Sequence, residues 1–182
     1  MANLFDLPRY IAVEGPIRVG KSTLSTILAE RLNAQRVTDP EQNSFLRAFY
    51  EGKPGAAFQA QFTFLVRRFE QLRGLDTGAK SQKIVISDFI FEKDKIFACL
   101  NLNDQELETY NRYFNHFREQ IPTPDLVIYL QATPEVLKKR LKKKKPRNFQ
   151  NPKRCHPHQE MRARRLPCWN TPSNSRTRRG PV

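Results

Sequence analysis

The chain has 182 residues, 38% of them hydrophobic and 27% charged, which is enough for one α/β core. Its formal net charge of +14 is unevenly placed: residues 1–137 carry 16 Lys and Arg against 17 Asp and Glu, and residues 138–182 carry the other 16 basic residues with Glu160 as their one acid. A near-neutral body with a basic end is not a nucleic-acid-binding surface built into a fold, and no run of about 18 apolar residues offers a membrane span.

Residues 9–14, Arg-Tyr-Ile-Ala-Val-Glu, form an apolar run ending at Gly15, and a helical pattern follows at once. Strand, turn and helix are expected, with Leu24, Ile27, Leu28 and Leu32 on one buried helix face. A second helix is expected from about Ala57 to Leu75. Lys83 to Ser87 and Leu126 to Leu130 lack alternation, as strands covered on both faces do. Cys99, between these strands, is expected as a buried, reduced thiol, since Cys99, Cys155 and Cys168 do not make a disulfide framework. Asp104 is placed to cap a helix presenting Leu107, Tyr110, Phe114 and Phe117, which Pro122 and Pro124 terminate. Thr133 is placed to cap another, with Pro134 in its first position.

This alternation predicts a doubly wound parallel sheet whose ligands lie beyond the carboxyl ends of the strands. The N-terminus, Met1 to Pro8, has neither a basic nor an apolar leader segment, so a cytoplasmic location is expected. Residues 146–182 contain six prolines, no Ile and no Tyr, and are expected to be a disordered basic tail to a domain of residues 1–145.

Gly15-Pro16-Ile17-Arg18-Val19-Gly20-Lys21-Ser22 matches G-x-x-x-x-G-K-[ST] in the strand-to-helix context that the P-loop requires. Its backbone N–H groups and the helix start cradle phosphates, Lys21 adds charge at the β- and γ-phosphates, and the Ser22 hydroxyl is a Mg²⁺ ligand. ATP with Mg²⁺ is therefore expected at Gly15 to Thr23.

Further blocks accompany the loop. They are Asp39-Pro40-Glu41-Gln42-Asn43-Ser44-Phe45-Leu46, Phe58-Gln59-Ala60-Gln61-Phe62, Ser87-Asp88-Phe89-Ile90-Phe91-Glu92-Lys93-Asp94-Lys95-Ile96-Phe97-Ala98 and Pro124-Asp125-Leu126-Val127-Ile128-Tyr129-Leu130. In this order and spacing, residues 9 to about 148 resemble the bacterial deoxynucleoside kinase family.

The resemblance implies a homodimer that transfers the ATP γ-phosphate to a deoxynucleoside 5′-hydroxyl. The proton acceptor would be Asp39 or Glu41. Asp39 precedes proline as the family's acid does, although it is shorter than the usual Glu. Gln61 and Arg68, seven residues apart, share a helix face that in the family reads the base, with Asp94 beside them and Phe97 stacking on it. Asp88 would stand near Mg²⁺. Phe89 departs from the arginine that commonly follows this acid, and Arg18 departs from a glycine; a non-glycine residue in that backbone costs about 1–2 kcal/mol.

A nucleoside monophosphate kinase shares the loop but needs cationic contacts of the kind that Asp88-Phe89 does not supply. Cys155, His156, His158 and Cys168 match no usual zinc spacing, and the tail contains no recognisable nucleic-acid-binding module. Similarity to the family fades near Arg147-Asn148-Phe149. Lys142 to Lys145 are encoded by AAA or AAG, codons that can form a run of adenines, so a frameshift is expected near residues 142–150, costing the chain its last strand and helices and with them stability and activity.

Overall fold

The computed structural model describes residues 8–77 and 83–143. Strand β1 (Tyr10–Glu14) is buried along its whole length. It pairs in parallel with β3 (Val85–Ser87) on one side and β4 (Leu126–Tyr129) on the other, and β2 (Gln35–Val37) lies outside β3, giving the order β2-β3-β1-β4. Because every pairing is parallel, the carboxyl ends of β1, β2 and β3 open on one edge, delivering Glu14, Asp39 and Asp88 to it. The expected α/β architecture is present.

Two layers of helix cover the sheet. On one face α3 (Ala56–Arg73), α4 (Lys93–Asn101) and α5 (Asp104–Arg118) bury Leu65, Phe69, Leu72, Tyr110 and Phe114 against Tyr10 and Val85. Phe69 and Phe117 stack there at 4.2 Å. On the other face α1 (Lys21–Arg31) packs Leu24, Leu28 and Ala29 on Ile11, Val13 and Ile86. The side chain of Asp125 accepts both the Arg9 and Tyr10 N–H groups at 2.8 Å, which fixes the start of β4 against β1.

Several sequence expectations need correction. Ile27 and Leu32 are 42% and 43% exposed, because α1 meets the sheet along the stripe of Leu24, Ser25, Leu28 and Ala29; Ile27 turns away from that stripe and Leu32 is already the C-cap. Strand β4 is not covered on both faces. Among the described residues it pairs with β1 alone, and Leu126, Val127 and Tyr129 are exposed. The cap of α5 is Asn103, not Asp104: Asn103 has the extended backbone a cap needs, its side-chain oxygen accepts the Glu106 N–H at 2.9 Å, and Glu106 accepts the Asn103 N–H at 3.0 Å. Cys99 is half-buried. The short α2 (Leu46–Tyr50) precedes α3, and α6 (Pro134–Lys143) follows β4, its Leu137 N–H bonded to the Thr133 carbonyl.

The expected tail of residues 146–182, the zinc-like residues Cys155, His156, His158 and Cys168, and the frameshift lie outside the described residues. Among the described residues no helix is long and apolar enough to cross a membrane.

Candidate active site

A cleft of about 1020 Å³ runs along the carboxyl edge of the sheet, bordered by the β1–α1 loop, the ends of β2 and β3, and helices α2, α3 and α4. The loop's geometry follows from its glycines. Gly15 has φ 145°, and a Cβ there would lie 2.4 Å from the Leu130 carbonyl oxygen, so no other residue fits without moving β4's exit. Gly20, at φ 119°, caps α1 without a side chain, leaving the helix's first N–H groups to a ligand.

Gly15, Pro16, Ile17, Lys21 and Ser22 line the cleft; Arg18, Val19 and Gly20 belong to the same turn and Thr23 to the first turn of α1, outside the lining. Lys21 Nζ donates to the carbonyls of Gly15 at 2.7 Å and Pro16 at 3.2 Å and stands 3.9 Å from Glu14. Burial lowers its pKa, with a smaller contribution from the charge of Lys93. Arg18 adopts the left-handed conformation at φ 64°, with its side chain exposed and outside the cleft lining. Arg140 of α6 donates to the carbonyls of Arg18 at 3.2 Å and Val19 at 2.8 Å, tying that helix to the loop.

The acids are held by cations. Asp39 Oδ1 accepts from Arg68 Nε at 2.9 Å and Oδ2 from Lys93 Nζ at 3.0 Å. Asp88 is 5% exposed; its Oδ1 accepts the Asp39 backbone N–H at 2.7 Å and its Oδ2 lies 3.5 Å from Arg36. Glu41 also lines the cleft but is exposed, and no hydrogen bond or ion pair among the described residues orients it.

The deepest polar cluster joins three helices. Asp94, wholly buried on α4, accepts from Gln61 Nε2 at 2.9 Å and from the Tyr110 hydroxyl at 2.8 Å, and it pairs with Arg68. Burial pushes the Asp94 carboxyl up to about 6, against the pull of Arg68. The Tyr110 phenol is pushed up, first by burial and then by Asp94, which keeps it a donor. Arg68 also lies over the Phe64 ring at 5.1 Å. Phe97 is 45% exposed and lines the cleft, so its ring is available to a ligand; Leu46, Phe49, Tyr50 and Phe64 add to this apolar wall. The structure thus brings Asp39, Glu41, Gln61, Arg68, Asp88 and Asp94 into one cleft, and leaves Arg18 outside its lining. It adds Arg36 and Lys93 to the cleft through contacts between elements far apart in sequence, and Tyr110 to the Asp94 cluster from the neighbouring helix α5.

Chemically, one end of the cleft presents backbone donors and Lys21 to an anion, and the other presents an apolar wall with a Gln–Arg–Asp cluster suited to a planar, hydrogen-bonding ligand. The Ser22 hydroxyl and the Asp88 carboxylate are hard oxygen donors lining the same cleft, the donor type that Mg²⁺ takes, and Asp88 Oδ2 has only a long contact to Arg36.

Residues 11–152 match the family model described as deoxynucleoside kinase. The chain is 33% identical over 137 residues to the deoxyguanosine kinase of Bacillus subtilis (strain 168), covering 74% of this chain and 66% of that one. It is 32% identical over 142 residues to the deoxyadenosine kinase of Dictyostelium discoideum, covering 73% and 56%. It thus spans two thirds or less of the length of these curated relatives. Its fold matches a structure of deoxyadenosine kinase from M. mycoides with bound dATP, with a TM-score of 0.60 and 26% identity over 74% of this chain and 71% of that one.

Proposed function

The chain belongs to the deoxynucleoside kinase family, and from that premise we propose that it transfers the γ-phosphate of ATP to the 5′-hydroxyl of a deoxynucleoside. The observation that carries this reading is a single cleft joining the phosphate loop at Gly15 to Ser22 with the buried Gln61–Arg68–Asp94 cluster, with Asp39 between them in the contact network. Phosphoryl transfer requires mainly positioning and charge stabilisation, and the cleft supplies both.

In this reading the loop amides and Lys21 hold the ATP phosphates. Asp39 accepts the 5′-hydroxyl proton; it is the better oriented of the two candidate acids, since Arg68 and Lys93 fix its carboxylate. Gln61, Arg68 and Asp94 read the base edge, and Phe97 stacks on its face. Ser22 and Asp88 would hold Mg²⁺, which when bound would supply charge neutralisation at the transferring phosphoryl group. The relatives named above make deoxyguanosine and deoxyadenosine the first acceptors to test, and the family resemblance supports a homodimer.

The test measures label from γ-labelled ATP on deoxynucleosides and on their monophosphates, with calorimetry of Mg-ATP alongside. Label should appear on the nucleosides, and Lys21→Ala should lose nucleotide affinity and at least about 100-fold in turnover, since it removes charge felt most in the transition state. Label only on monophosphates, or equal Mg-ATP affinity in both proteins, would refute the reading.

A further inference from the structure

Four of the residues lining the cleft carry positive charge: Lys21, Arg36, Arg68 and Lys93. Arg68 is bound to both Asp39 and Asp94, and Lys93 to Asp39. Arg36 is placed differently. It projects from the middle of the three-residue strand β2, and its Nε donates to Ser25 Oγ at 3.1 Å. Ser25 is fully buried on α1 and its hydroxyl donates in turn to the Ser22 carbonyl at 3.0 Å. One edge of the guanidinium is therefore fixed to the first turn of the helix that follows the phosphate loop.

Its other edge is only loosely engaged. The 3.5 Å separation of Arg36 Nη2 from Asp88 Oδ2 exceeds the roughly 2.7–2.9 Å of a charge-assisted hydrogen bond, and the side chain is 31% exposed. Phe89, next to Asp88, is wholly buried and uncharged. We infer that Arg36 is a phosphate-contacting residue, whose Nη edge meets the terminal phosphoryl group of a nucleoside triphosphate bound at the loop. The inference rests on the proposed ATP-binding role of residues 15–22. A guanidinium fork matches two phosphoryl oxygens at once, which the point charge of Lys21 does not. Because it meets the terminal group, Arg36 should favour ATP over ADP.

The experiment is calorimetry of Mg-ATP and Mg-ADP on the full chain and on Arg36→Ala, Arg36→Gln and Arg36→Lys, with a thermal melt of each. Arg36→Gln keeps an amide donor in place of Nε, so it tests the charge if the alanine variant does not fold. Both neutral variants should lose ATP affinity by about 10- to 100-fold and ADP affinity by less than threefold, the loss expected for one charge-assisted bidentate contact. Arg36→Lys should recover part of this, and added guanidinium should restore part of it to Arg36→Ala. A strut that merely holds Asp88 would weaken both nucleotides alike, and that result, or no change in either, overturns the inference. Failure of the unaltered chain to bind either nucleotide overturns the loop assignment and this inference together.

Discussion

Asp94 should make the protein less stable as pH rises from about 4 to 7, and Asp94→Asn should remove that dependence. The carboxyl is wholly buried and its folded-state pKa is raised to about 6, against about 3.9 for an unfolded aspartate. Between these values the folded chain keeps a proton that the unfolded chain has released, so the folded state binds more protons and stability declines with increasing pH. About two pH units at 1.36 kcal/mol each gives a decline of about 3 kcal/mol, complete above pH 6. The charged and titratable groups acting on it are Arg68 from α3, Lys93 from α4, Tyr110 from α5 and Asp39 beyond β2. Urea unfolding of both proteins at pH 4, 5, 6 and 7 isolates the effect, because other titrating groups cancel in the difference. The asparagine variant should lack this decline, so the stability difference between the two proteins should change by about 3 kcal/mol between pH 4 and pH 7, in the variant's favour as pH rises. Parallel stability curves for the two proteins would refute the assignment of this titration to Asp94.

Two further outcomes concern the chemistry. Gln61→Ala should lose roughly tenfold to a thousandfold in kcat/KM for the deoxynucleoside, because it leaves the groups that the amide met unpaired; Mg-ATP affinity measured by calorimetry should stay unchanged. Asp39→Asn should lower kcat by about 100-fold or more and Glu41→Gln by less than about threefold, as fits a positioned general base and an unheld neighbour; single-turnover rates of the two variants compare them directly.

Much of the site was legible in the sequence because its elements are local. The phosphate loop announces itself through two glycines whose backbone angles of 145° and 119° only glycine adopts easily, and Gln61 and Arg68 share a helix face by spacing alone. Arg36 and Lys93 were not legible, since their partners lie 52 and 54 residues away and meet them only once the sheet order β2-β3-β1-β4 is set, and Tyr110 was not because its bond to Asp94 depends on how α5 folds back on α4. The same limit explains the helix and strand faces. The periodicity of α1 identifies its apolar residues but not the narrow stripe that Ser25 and Ala29 let approach the sheet, and an unalternating strand such as β4 looks the same whether it lies at the centre or at an edge.

The arrangement of charge connects recognition to reaction. Arg68 donates through Nε to Asp39 and through Nη1 to Asp94, so one buried guanidinium spans the proposed general base and the cluster proposed to read the base. Gln61 reaches the same cluster through Asp94, and Lys93 steadies the second oxygen of Asp39. A ligand that displaces or completes any of these bonds therefore acts on the orientation of Asp39 through a chain of at most two residues, in a region where low polarity strengthens each hydrogen bond and makes a lost one costly. On the proposed reading, selectivity for the nucleoside base is coupled to the carboxylate that would receive the proton, and a poorly fitting base should show itself as slower chemistry as well as weaker binding.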